Sequence, residues 1–174
     1  MNILRLVIGA LGGLSATGPM TILMQRWHRE LPAAEQYSLP PKEITHQVAE
    51  KAGVELEHGS EATASLVLFN HFAYGTAAGL VYSLVAGSGR NGLLRGGVFG
   101  IAVWLVSYLG LLPAVSVLTS AKDHPAQRNV LMLSAHVVWG IILGLFVETM
   151  AEDRRRNCSA LTSRSPVAAR DTET

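Results

Sequence analysis

Four long apolar stretches separated by polar runs set the pattern of this chain. They cover residues 6–24, 66–86, 96–118 and 130–147, and none carries Lys, Arg, Asp or Glu in its interior. A helix rises 1.5 Å per residue, so roughly 20 such residues cross about 30 Å of hydrocarbon. The pattern predicts an all-α polytopic membrane bundle of four transmembrane helices. The polar connector at 25–65 contains one further periodic segment. Pro41 suits a first helical turn, Ile44, Val48 and Ala52 recur every fourth residue, and Gly53 suits the stop. That spacing predicts a short amphipathic helix on the outer face. The domain layout is therefore one transmembrane domain over 1–150, with the connector inside it. A tail at 151–174, rich in Arg, Ser and Thr without apolar periodicity, is read as disordered.

Two of the spans share a spaced motif. One reads His71-Phe-Ala-Tyr74-Gly75-Thr-Ala-Ala-Gly79-Leu80, the other His136-Val-Val-Trp139-Gly140-Ile-Ile-Leu-Gly144-Leu145. This internal repeat points to two tandem hairpins, each with a histidine inside its second helix. Every span also contains Gly-xxx-Gly: Gly9 and Gly13, Gly75 and Gly79, Gly96 and Gly100, Gly140 and Gly144. Small residues four apart share one helix face and let backbones approach closely. Helix packing is the expected role of all eight; clearing room for a flat cofactor is the sharper alternative. Pro19 in the first span and Pro113 in the third are expected to kink their helices.

Composition agrees with a membrane setting. The 174 residues are 49% hydrophobic and only 16% charged, against about 25% charged in soluble domains. A net charge of +1 and the lack of a basic, aromatic-interleaved stripe argue against nucleic-acid binding. The single Cys158 can form no intramolecular disulfide. No nucleophile elbow, phosphate loop, dinucleotide fingerprint or His-Glu-x-x-His is present, and no pair of carboxylates falls in a span. No enzymatic chemistry is expected. With the N-terminus inside, Arg90 and Arg95 in the short second loop and Arg154, Arg155 and Arg156 after the last span fall inside. The positive bias thus favours two cytoplasmic termini. A signal peptide cut near Ala16 is the alternative for the first span. Its apolar run continues to Met24 and is flanked by Arg26, Trp27 and Arg29, which favours a retained helix.

The candidate chemistry is a polar site inside the membrane. Ionisable groups at that depth are costly and mark function. His71 and His136 lie at matching depth on helices of matching direction, five to six residues into their spans. Tyr74 and Trp139 cover the same helix faces, and Asn70, Ser107 and Tyr108 are partners of the right type. Two imidazoles facing across a bundle can ligate a b-type haem or, with further ligands, a transition metal. They can relay protons or handle a solute, or simply hydrogen-bond neighbouring helices as glue. Glu57, His58 and Glu61 form a carboxylate–histidine cluster that would need further ligands to hold a metal; a solvated loop is the simpler reading.

The His71 and His136 motifs, with Leu39-Pro40-Pro41-Lys42-Glu43, resemble the YagU-like group of small bacterial inner-membrane proteins. The similarity covers roughly residues 5–144. It implies a multi-pass protein of the bacterial inner membrane and brings no catalytic residues. The expected role is a non-enzymatic membrane scaffold or accessory subunit without cofactor. Its partners would be the lipid bilayer and a membrane protein or a second copy of this chain. A haem, metal or solute-handling protein centred on His71 and His136, including a small dimeric transporter, is the alternative.

Overall fold

The computed structural model describes residues 3–57, 59–86, 91–118 and 120–163, and these contain no strand. Six α-helices follow in order: α1 (Ile3–His28), α2 (Pro40–Lys51), α3 (Glu61–Val85), α4 (Gly92–Leu105), α5 (Leu112–Ala114) and α6 (Ala126–Ser163). A π-helical turn, Val106–Leu111, joins α4 to α5. Four helical stretches are long and apolar enough to cross a membrane: Ile3–His28, Glu61–Val85, Gly92–Ala114 and Ala126–Arg154. Large side chains such as Leu11, Ile22, Phe69, Leu84, Leu94 and Val98 point outward from them. Glycine, alanine, threonine and serine fill much of the interior instead. That is an arrangement for an apolar solvent rather than water.

The helices assort as two hairpins. α1 packs on α3, α4 packs on α6, and α1 against α6 joins the pairs, while α3 and α4 scarcely touch. Both hairpin crossings are antiparallel and built on backbone contact. A Cβ on Gly13 would land on the Gly75 carbonyl, and one on Gly9 on the Gly79 carbonyl. In the second hairpin, a Cβ on Gly96 would strike the Gly140 carbonyl, on Gly100 the His136 carbonyl, and on Gly144 the Gly92 carbonyl. All eight predicted glycines sit at these crossings. A Cβ on each would meet a neighbouring helix, which fits the packing role; Gly75 also borders a cavity described below. Gly92 extends the second crossing by one more turn and was not among those predicted. The two crossings are alike in geometry, but only the first hairpin carries a long connector between its helices. Sequence likeness is therefore plain only in α3 and α6.

The connector helix forms where its spacing predicts, with Pro40 and Pro41 in its first turn. α3 starts at Ser60, whose hydroxyl accepts the Thr63 N–H at 3.2 Å. α4 starts against α6: Glu148 accepts the N–H of Asn91 at 2.9 Å and of Gly92 at 2.7 Å. A carboxylate there satisfies free amides and complements the positive helix end. α1 runs as one helix through Pro19.

One expectation needs correction. The segment from Ala151 to Ser163 continues α6 rather than forming a disordered tail; residues 164–174 lie outside the described residues. Ala151 to Ser163 includes neither Gly nor Pro, and extending a formed helix avoids the unfavourable nucleation step. In the third span the expected disturbance by Pro113 takes the form of a π turn. In a regular α-helix the Pro113 ring would clash with the Leu109 carbonyl. The backbone widens to a π turn immediately before it.

Interhelical hydrogen bonds in membranes average only about 0.6 kcal/mol, so close glycine packing must carry most of the association. Gly96→Val should lower stability by about 1–3 kcal/mol or more through overpacking. Gly110→Ala, where an added Cβ meets nothing within 4 Å, should leave it nearly unchanged. Unfolding in mixed micelles, followed by tryptophan fluorescence, measures both.

Candidate functional site

At the connector end of the bundle, α3 and the π turn stand apart, and α2 lies across the gap. Beneath α2 is a cavity of about 300 Å³, at the lower end of the range that holds small molecules. His71, His136, Tyr74, Trp139, Asn70, Ser107 and Tyr108 all line it. The seven residues singled out by sequence are thus neighbours in space. The histidines hold matching positions along their helices: His71 is ten residues past the start of α3, and His136 ten past the start of α6. At 1.5 Å per residue this is roughly 15 Å of helix.

Neither histidine hydrogen-bonds the partners expected from sequence. His136 Nδ1 lies 2.7 Å from the Met132 carbonyl, one turn earlier in α6. A carbonyl only accepts, so the proton is on Nδ1 and Nε2 keeps its lone pair. His71 Nδ1 lies 3.4 Å from the Thr21 hydroxyl on α1. That hydroxyl donates its own hydrogen to the Thr17 carbonyl at 2.7 Å, so it accepts from His71. The same tautomer results. With both Nδ1 atoms engaged, Nε2 is the nitrogen each ring has left for the cavity.

The other named side chains are held by specific bonds. Tyr74 and Ser107 hydroxyls meet at 2.7 Å and bridge α3 to the π turn. Trp139 donates from Nε1 to the Gly13 carbonyl and the Thr17 hydroxyl, each at 3.3 Å, which ties α6 to α1. Its aromatic face still borders the cavity. The Tyr108 ring meets the His136 ring edge-on, with centroids 5.7 Å apart. Asn70 donates to the Thr45 hydroxyl of α2 at 3.3 Å. The π turn is what turns both Ser107 and Tyr108 inward, where each is buried; such turns recur at functional sites.

Residues missed by sequence reading complete the site. Met20 and Met24 of α1 supply thioether walls, and Ile44, Thr45 and Val48 of α2 form the lid. Met24, Pro41 and His71 also border a second cavity of about 620 Å³ under the connector, lined by polar groups such as Gln25, Gln36, Ser38 and Thr63. His71 therefore stands between the two spaces. Among the described residues no Lys, Arg, Asp, Glu or Cys lines the inner cavity. Among the described residues no group of three or more His, Cys, Asp and Glu is placed to hold a metal. His58 of the Glu57–Glu61 cluster lies outside the described residues.

The lid segment is clasped to α6 by Arg128, which is only 2% exposed. Its guanidinium donates to the carbonyls of Glu35 at 3.3 Å, Tyr37 at 3.1 Å and Ser38. It also lies 3.7 Å over the Tyr37 ring. The Tyr37 hydroxyl meets His124 Nδ1 at 2.6 Å, and His28 Nε2 lies 2.9 Å from the Tyr37 carbonyl. Burial pushes the Tyr37 phenol above its ordinary pKa, against the opposing pull of Arg128. Sequence spacing gives no sign of this role for Arg128, because its carbonyl partners are about ninety residues away.

Residues 23–145 match the family described as protein of unknown function (DUF1440). The chain belongs to that uncharacterised family. The match takes in α2, α3, α4, the π turn and the part of α6 that carries His136 and Arg128, so the cavity and its clasp lie almost wholly within it. No curated protein and no solved structure matches the chain.

Arg128→Met keeps the apolar stem but removes every charged hydrogen bond of the clasp. We expect a stability loss of about 2–4 kcal/mol and faster tryptic cleavage at Arg29 and Lys42 in proteoliposomes. Unchanged cleavage would mean that the clasp does not hold the lid.

Proposed function

We propose that this protein is a non-enzymatic membrane protein whose working site is the cavity under α2, where it holds a small uncharged molecule. The observation that carries this reading is the convergence of both imidazoles, with Nε2 lone pairs available, in a lining without formal charge. A purely structural histidine needs only one hydrogen bond to a neighbouring helix. Here one nitrogen of each ring meets that need and leaves the other for the cavity.

The donor set fits the competing cofactors less well. A haem needs cationic groups near its propionates, and no Lys or Arg borders the cavity. A divalent ion would find two imidazoles and no carboxylate to offset its charge. A scaffold or accessory-subunit role remains the second reading, favoured by the backbone-to-backbone glycine crossings and the outward apolar faces. A small dimeric transporter would use the two adjoining cavities as a path past His71. We further propose a bacterial inner-membrane location with both termini cytoplasmic, on the positive bias of Arg95 and Arg154 to Arg156.

Mass spectrometry of protein released intact from mild detergent tests the cavity. The wild type should retain a small molecule that Ser107→Phe, which fills the space, does not. Equal spectra from both would favour the scaffold. A Soret band or stoichiometric metal would instead favour a cofactor. Reporter fusions at the C-terminus and in the 25–65 connector should report opposite sides of the membrane. The same side would refute the orientation.

A further inference from the structure

The cavity's hydrogen-bonding inventory narrows what it holds. At Nε2, the rings of His71 and His136 can only accept, because each ring's one N–H is at Nδ1, where it is donated to the Thr21 hydroxyl and the Met132 carbonyl respectively. In the same lining, the Tyr74 and Ser107 hydroxyls bond each other, which consumes one of their two hydrogens and leaves the other to donate. The lining thus offers lone pairs from the imidazoles and a spare hydroxyl hydrogen from α3 or the π turn. Trp139 and Tyr108 supply flat aromatic walls, while Met20 and Val103 supply apolar ones. Among the described residues no charged group lines the cavity to hold an ionised ligand, and burying an uncompensated charge there would be costly.

A hydroxyl group answers both sides, since it donates and accepts. We propose that the inner cavity binds an uncharged aromatic alcohol of the phenol type, its hydroxyl hydrogen directed to His71 or His136 Nε2 and its ring against Trp139 and Tyr108. This inference rests on the cavity being the working site. A ring of this kind partitions into lipid. The sparse contact between α3 and α4, bridged by the Tyr82–Phe99 ring pair at 5.1 Å, with Tyr74–Ser107 joining α3 to the π turn beyond it, is where a lateral route would run.

The test uses 4-propylphenol against 4-propylanisole, in which the ether keeps the oxygen and the shape but loses the donor. Binding to the full chain in nanodiscs is followed by tryptophan fluorescence, and ¹⁵N spectra of histidine-labelled protein report which ring nitrogen carries the proton. Leaving an imidazole lone pair unmet should weaken the anisole about tenfold or more. The phenol should shift an Nε2 resonance while Nδ1 stays protonated. Tyr74→Phe, which leaves both histidines in place, should weaken phenol binding by a smaller factor. Equal affinity for phenol and anisole would overturn the phenol inference while leaving the cavity reading intact. Nε2-protonated histidines in the free protein would overturn it without any variant. Binding of neither probe would also overturn it, and the retained-molecule spectrum would then judge the cavity by itself.

Discussion

Everything in this bundle follows from how closely helix backbones can approach in a solvent that gives helices no hydrophobic reason to associate. Lipid chains are as apolar as leucine, so attraction between spans must come from dispersion contact and from polar groups that have nowhere else to go. Contact at the two crossings is made by removing Cβ atoms. Gly9, Gly13, Gly75 and Gly79 bring α1 onto α3, and Gly92, Gly96, Gly100, Gly140 and Gly144 bring α4 onto α6. Any side chain at most of these positions would have to occupy the place of a carbonyl oxygen. The large apolar side chains are left to face outward.

Two tight pairs joined through α1 and α6 do not make a closed bundle. α3 and α4 are left apart, and that gap is the origin of the cavity. Three devices manage it. Tyr74 and Ser107 span it with one hydrogen bond, the π turn directs Ser107 and Tyr108 inward, and α2 covers the open end. Arg128 then anchors the segment leading into α2 through three backbone carbonyls. A buried guanidinium is costly to desolvate, and this one is spent on a connector that crosses the mouth of the site.

Parts of this were legible in the residues. The spans, the connector helix and the packing glycines follow from periodicities that depend only on neighbours in the chain. The seven polar candidates followed from type and depth, because imidazole, phenol and amide groups in hydrocarbon need partners. Their true partners were not legible. Thr21 looks like any threonine until α1 lies beside α3, and Met132 serves His136 through its carbonyl, which carries no residue identity. The continuation of α6 to Ser163 was missed because a polar stretch was read by composition rather than by its lack of helix breakers.

What the sequence determined alone is local: four stretches long and apolar enough to span, small faces on each, and two histidines at equal depth. These depend on helical rise, side-chain size and the cost of polarity in lipid, all set within a few residues. Tertiary structure decided which face meets which, that α3 and α4 stay apart, and that both imidazoles line one cavity. Those outcomes depend on contacts as distant as Trp139 with Gly13 and Arg128 with Glu35. A hydrogen bond or a carbonyl contact of that kind has no signature in spacing, because it exists only once two helices share a position in space.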